Sequence, residues 1–308
     1  MSDESLTSRY VKLHNRMVTT SLVPNRKPGK GAVLIRQEGM RMTAPALVMV
    51  ARGSSDPTVA QVTHELRAGL QQLRPEISIH GAFLEQNPPS VGQVADQIVG
   101  AGIDEVVLVP LQLTYAVDSS PNLDEVLSRS RARHPQLRFT MSRPIGPELS
   151  LLTILDQRLR ASLSQARCLE LDGLVLSADC GGDVRGGSLL ARRARQWSTH
   201  HRLPCLTAVA DDSGPSVAQA IMSLRAQGRR HIAVGSFFLA ADESYRSQSD
   251  LAYRYGAVAV SEPLGAAREV IDLVLARYAF AAMDLLDFGL EDAETEDVPQ
   301  RHLSVVGA

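Results

Sequence analysis

The residues able to do chemistry gather where apolar runs stop. In ALVMVARGSSDPTVAQV, Ala46 to Val62, a strand-like run ends at Arg52, and Ser54, Ser55 and Asp56 follow before helix-like alternation begins. The run ending in AFL gives way at once to Glu85, Gln86 and Asn87, and VVLVPLQL is followed by Thr114, Tyr115, Asp118 and Asn122. Carboxylates in such places can hold a divalent cation or exchange protons, whereas a guanidinium has five donors in a planar fork and suits a carboxylate. Helix capping accounts for Asp56, and for Asp183 in a similar later stretch. Glu85, directly after the apolar end of a central strand, is harder to explain by capping.

Other candidates carry weaker signals. CGGDVRGG, starting at Cys180, is glycine-rich but is neither G-x-G-x-x-G nor a P-loop with Lys and Ser/Thr. His200 and His201 are adjacent, a poor arrangement for ligating one metal from one helix face, and a surface turn is the expectation for them. His64 is expected to face solvent from mid-helix, His80 to be a satisfied structural histidine, and Cys180 to be a small buried residue. No G-x-S-x-G marks a nucleophile elbow.

The elements that must position these residues come in two similar sets. PPSVGQVADQIVGAGIDEVVLVPLQL from Pro88 is echoed by GPSVAQAIMSLRAQGRRHIAVGSFFL from Gly214, with Pro89, Ser90, Val91, Gln93 and Gly102 falling on Pro215, Ser216, Val217, Gln219 and Gly228. SRPIGPE at Ser142 matches SEPLGAA at Ser261, and LVMVARGSSD ending at Asp56 matches LVLSADCGGD ending at Asp183. Three landmarks in the same order indicate an internal duplication. Each copy alternates strand and helix four times, the first with strands expected near 46–51, 77–84, 105–113 and 137–142. Such alternation implies parallel strands with right-handed crossovers and helices on both faces. The fold class expected is α/β, with two tandem doubly wound parallel-sheet domains and a cleft between them. Ligands of such sheets sit outside the carboxyl ends of the strands. In the second copy those places hold Asp179 and Asp183, then Asp211 and Asp212, then Asp242, Glu243 and Tyr245.

Composition sets the outer bounds. The 308 residues are 44% apolar, enough for two ordinary cores, and no apolar run nears the roughly 20 residues of a membrane span. A cytoplasmic protein without membrane or nucleic-acid partners is expected, its oligomeric state unspecified. Cys168, Cys180 and Cys205 are odd in number and far apart, which fits reduced thiols. Residues 1–41 hold eight Lys or Arg against three acids, +5 of a net −2, so the remainder carries −7. The boundaries expected are a flexible basic arm at 1–41, domains at 42–168 and 169–285, and an acidic tail at 286–308. The arm has two further readings, a site for something acidic or an overlong start preceding Met42.

Together ARGSSDP, AFLEQNPPSV, VVLVPLQLTYAVD and RPIG resemble the class II chelatases, which insert Fe²⁺ or Co²⁺ into sirohydrochlorin or a related tetrapyrrole. The resemblance spans about residues 45 to 285 and implies two doubly wound domains, a macrocycle held in the cleft, and metal insertion without ATP. It implies no permanently bound cofactor, with the divalent metal and the tetrapyrrole as the partners. Where the family's first loop reads His-Gly-Ser, this chain has Arg52 before Gly53 and Ser54, and Asp118 falls at the family's second His; the Glu of the LE motif stays as Glu85. Imidazole can ligate Fe²⁺ or Co²⁺ and accept a proton near neutral pH, and guanidinium can do neither. The resemblance thus assigns metal handling and proton transfer to Glu85 and Asp118, and substrate binding to Arg52, Ser54, Ser55 and Tyr115. Arg52 has two readings, a fork for a macrocycle carboxylate or a local pair with Asp56 or Asp118. The chain as a whole also has two, a working chelatase or a degenerate member that binds a tetrapyrrole, metal or protein without catalysis.

Overall fold

The structure is a computed structural model that describes residues 44–114, 121–180, 184–211 and 213–295. Two four-stranded parallel sheets are formed. The first contains β1 (Ala46–Ala51), β2 (Ile79–Phe83), β3 (Glu105–Pro110) and β4 (Arg138–Met141) in the order β2-β1-β3-β4. The second contains β5 (Gly173–Ala178), β6 (Cys205–Val209), β7 (Ile232–Phe237) and β8 (Ala259–Val260) in the order β6-β5-β7-β8. Every pairing is parallel, so each connection is a crossover and each sheet is covered by helices on both faces. The order reverses beside β1 and beside β5, which puts a topological switch point at each of these central strands.

Helices α1 (Pro57–Leu73), α2 (Val91–Gly100), α3 (Pro121–Arg133) and α4 (Leu151–Gln165) follow the first four strands in turn. Helices α5 (Val184–His201), α6 (Val217–Ala226), α7 (Glu243–Arg254) and α8 (Arg268–Thr295) follow the second four. The duplication read in the sequence is visible at α2 and α6. Ser90 and Ser216 each accept the N–H of the residue three positions on at 3.3 Å, and Gln93 and Gln219 return the bond to the cap N–H at 2.8 and 2.9 Å. These are matching capping boxes, and both helices are followed by a glycine at positive φ, Gly102 at 75° and Gly228 at 86°.

The strands are buried on both faces, and alternate residues feed different cores. Leu47, Met49 and Ala51 of β1 join a cluster that also takes in Leu174, Leu176 and Ala178 of β5, while Ala46, Val48 and Val50 face a second cluster under α2 and α3. The shared cluster exists because two helices cross over. α4, from the first half, packs on β7 and β8, and α8, from the second half, packs on β3 and β4. Polar contacts fasten the exchange: the Tyr278 hydroxyl donates to the Pro45 carbonyl at 2.8 Å, and Arg277 Nε donates to the Pro144 carbonyl at 2.9 Å. α8 also runs on to Thr295, so the segment from 286, expected as an acidic tail, begins as helix. The basic arm lies outside the described residues. Among those described, no helix is long and apolar enough to cross a membrane.

Candidate functional site

The carboxyl ends of β1 and β2 are locked together. Beyond the paired residues Ala51 and Phe83, the Leu84 N–H donates to the Ala51 carbonyl and the Glu85 N–H to the Arg52 carbonyl, both at 3.0 Å. The Ser54 N–H then donates to Asn87 Oδ1 at 2.7 Å, so the first loop is tied to the second through both backbone and side chain. Gly53 makes this approach possible. Its φ is +92°, and a Cβ there would lie 1.9 Å from the Glu85 carbonyl oxygen. Arg52 and Glu85 are thereby neighbours outside the carboxyl ends of β1 and the edge strand β2, with Arg52 exposed and Glu85 half-buried. The Arg52 side chain makes no hydrogen bond or ion pair with a described residue.

Asp56 confirms its capping role: its Oδ1 accepts from the Thr58 N–H at 3.0 Å and the Thr58 hydroxyl at 2.8 Å, opening α1. Its other oxygen is paired with the Arg246 guanidinium of α7, across the two halves. The local Arg52–Asp56 pair read as an alternative is therefore absent, because Asp56 already spends its oxygens on the cap and on Arg246. The Thr58 bonds, and then Arg246, hold the Asp56 carboxyl below its ordinary value. A second link joins the halves, the buried Thr114 hydroxyl donating to the Asp179 carbonyl at 2.6 Å. Carboxyl ends of β1, β3, β5 and β7 thus converge.

Asp242 stands in this convergence as the N-cap of α7, accepting from the Tyr245 N–H at 2.9 Å. Burial pushes its carboxyl up, and the charges of Asp179 and Asp56 push the same way, against the Tyr245 N–H and Arg246. The junction therefore holds an exposed cation, Arg52, a bridged carboxylate, Asp56, and a carboxyl drawn toward its protonated form, Asp242. Nothing in the sequence pointed to Arg246, whose partner is 190 residues away.

The remaining candidates are placed as follows. Ser54 and Ser55 lie on the loop between Arg52 and α1, where the Ser54 hydroxyl accepts from the Asp56 N–H at 3.1 Å. Tyr115, Asp118 and Asp183 lie outside the described residues. His64 is exposed, and His80 bonds the Ser78 hydroxyl at 2.9 Å, with burial lowering its pKa. The cysteines are free thiols; Cys180 is buried, and burial pushes Cys205 up to about 12. His200 and His201 correct the expectation of a surface turn: they are the last two residues of α5, and His201 Nε2 lies 2.8 Å from Asp156 Oδ1 on α4. The reason is the crossover of α4, which no local pattern announces.

Comparison with known proteins covers the same elements. Residues 46–162 match the CbiX family model. The chain is 24% identical over 202 residues to a sirohydrochlorin cobaltochelatase from Priestia megaterium, covering 63% of this chain and 64% of that protein. It is 25% identical over 118 residues to a sirohydrochlorin ferrochelatase from Bacillus subtilis (strain 168), covering 37% of this chain and 44% of that one. The chain thus spans less than two thirds of the length of either relative. The structure of SirB from Bacillus subtilis with Fe³⁺ superposes with a TM-score of 0.66 at 18% identity, over 79% of this chain and 97% of that one, and shares the fold.

Proposed function

We propose that this chain, a member of the class II chelatase family, inserts Fe²⁺ or Co²⁺ into a sirohydrochlorin-like tetrapyrrole without ATP, at the carboxyl ends of its first sheet. The observation that carries this reading is the Arg52–Glu85 junction, in which the Glu85 N–H meets the Arg52 carbonyl at 3.0 Å. It brings a fixed cation and a carboxylate together outside the carboxyl ends of β1 and β2, with β1 bordering the β1/β3 switch point where open α/β sheets bind ligands.

The chemistry follows from the residue types. Inserting a dication displaces two pyrrole protons, so the site must guide a cation in and let protons out. Glu85 is the carboxylate placed to attract the metal and accept a proton. Asp118 is assigned the same work by its place in the third loop. Arg52 has no lone pair, so it neither ligates the metal nor acts as a base. Exposed at the strand end, it anchors a macrocycle carboxylate through its planar fork, with Ser54, Ser55 and Tyr115 as further polar contacts. Asp242, whose carboxyl is raised by burial and by Asp179 and Asp56, is a second proton acceptor from the facing half. We place the reaction in the cytoplasm, a setting supported by three free thiols.

The test is anaerobic absorption spectroscopy of sirohydrochlorin with Co²⁺, with and without the protein. Acceleration over the spontaneous rate, lost in the Glu85→Ala, Asp118→Ala double variant, is expected. Arg52→Ala is expected to raise the KM for the macrocycle about tenfold, the loss of one charge-assisted hydrogen bond. Arg52→His is expected to speed insertion by returning a lone pair to this place. A shifted macrocycle spectrum without acceleration would identify a binding protein instead, and no response to any Arg52 or Glu85 substitution in folded protein would remove the site from these loops.

A further inference from the structure

Outside the strand-end loops, two helices bring together a second set of donors. Asp156 lies on α4, and His200 and His201 end α5; one ligand atom from each lies within 4.8 Å of the others, the only such group of three His, Cys, Asp or Glu among the described residues. His201 Nε2 is 2.8 Å from Asp156 Oδ1 and His200 Nε2 is 3.8 Å from Asp156 Oδ2. The two imidazoles therefore address different oxygens of one carboxylate, their centroids 4.8 Å apart and their planes at 84°.

We propose that Asp156, His200 and His201 form a divalent transition-metal site, independent of the strand-end junction. Two ligand atoms on one ion, each about 2.0–2.2 Å from it, stand roughly 3–3.6 Å apart at angles of 90–110°. The two N–O separations, 2.8 and 3.8 Å, bracket that range, and with all three ligand atoms within 4.8 Å of one another they must draw in by roughly 1 Å to share an ion. The carboxylate is already held from behind. Trp197, 1% exposed, donates its indole N–H to Asp156 Oδ1 at 2.5 Å and packs edge-on against the His201 ring. A buried donor that orients a ligating carboxylate is the outer support that metal sites use.

A lone ion pair would explain His201 but leaves the second imidazole, turned to the other oxygen, without a purpose. Two imidazoles and one carboxylate select borderline cations such as Fe²⁺, Co²⁺, Ni²⁺ or Zn²⁺ over Mg²⁺ or Ca²⁺. The three protein ligands leave coordination positions open. Asp156 and His200 line a cavity of about 560 Å³ whose wall also carries Arg192 and Arg195. Those guanidinium groups favour an anion as the remaining ligand, so the site takes a metal together with a carboxylate or similar anionic co-ligand.

Co²⁺ alone, titrated anaerobically into the full chain and followed by visible absorption and equilibrium dialysis, tests the proposal. The Glu85→Ala, Asp118→Ala double variant is titrated in parallel, so that binding which survives there belongs to the helix site and not to the strand-end junction. One Co²⁺ per chain is expected in the Glu85→Ala, Asp118→Ala protein, with affinity falling at least tenfold on adding His200→Ala and visible bands lost on further adding His201→Gln. His200 is exposed, so an unchanged circular dichroism melt will show that its removal leaves the fold intact. No Co²⁺ bound by the Glu85→Ala, Asp118→Ala protein, or a stoichiometry and spectrum untouched by the two histidine substitutions, would overturn the assignment.

Discussion

At the scale of single residues, the junction turns on Gly53 as much as on the side chains beside it. Arg52 reaches its place because the chain passes under the Glu85 carbonyl at a φ of +92°, where a Cβ would stand 1.9 Å from that oxygen. Gly53→Ala is expected to lower stability by about 2 kcal/mol, read as a fall in the urea midpoint, and to weaken macrocycle binding through displaced Arg52 and Glu85. Unchanged binding in the variant would mean that the loop contact does not position the site. Arg52 itself was legible as an anomaly in the sequence, because a guanidinium stands at a strand end where the resemblance calls for imidazole. Its lack of a described partner was not legible, since that depended on where Asp56 found its own.

At the scale of elements, α7 carries a tension that can be measured. Its N-cap Asp242 stabilises the helix start through the Tyr245 N–H while burial, Asp179 and Asp56 disfavour its charge. A carboxyl whose folded pKa is raised binds its proton more tightly folded than unfolded, so its charged form costs stability once pH exceeds the raised value. Asp242→Asn keeps a cap acceptor and removes the charge, and its unfolding midpoint at pH 7 is expected to rise above wild type. Asp242→Ala loses the cap and is expected to fall below Asp242→Asn by about 1 kcal/mol. The advantage of the Asn variant should shrink as pH falls through the raised pKa, and thermal melts across an acidic series will show it. The capping boxes at Ser90 and Ser216 were readable because each needs only four consecutive residues. The electrostatic load on Asp242 was not, because its sources, Asp179 and Asp56, come from two other loops.

At the scale of the whole molecule, the two halves are joined by exchanged helices and by the Arg246–Asp56 pair. The folded pKa of Asp56 is depressed, first by Thr58 and then by Arg246. The stability it contributes is therefore present above the unfolded value of about 3.9 and is lost as pH falls through the lower folded value. Arg246→Gln is expected to destabilise the protein at neutral pH, and the gap from wild type should close below about pH 4 as Asp56 protonates in both proteins. In an Asp56→Asn background the same substitution should have little effect. An equal loss at all pH values would assign the role of Arg246 to packing, not to the pair.

What the sequence by itself determined is local and periodic. Buried parallel strands, capped helices, their fourfold alternation and its repetition each depend on the order of a few neighbouring residues, and all are present in the structure. The joining of Arg52 to Glu85 was partly foreseeable, because both end strands of one sheet. Only the tertiary structure decided which helix covers which sheet. α4 and α8 each present an apolar face, and a periodic pattern does not say which sheet it will cover, so periodicity is silent on the exchange. From that exchange follow the meeting of Asp156 with His200 and His201 and the shared core of the two halves. Arg246 and Asp56 meet for the related reason that the strand ends of both sheets converge, a relation between distant segments that leaves no trace in either one.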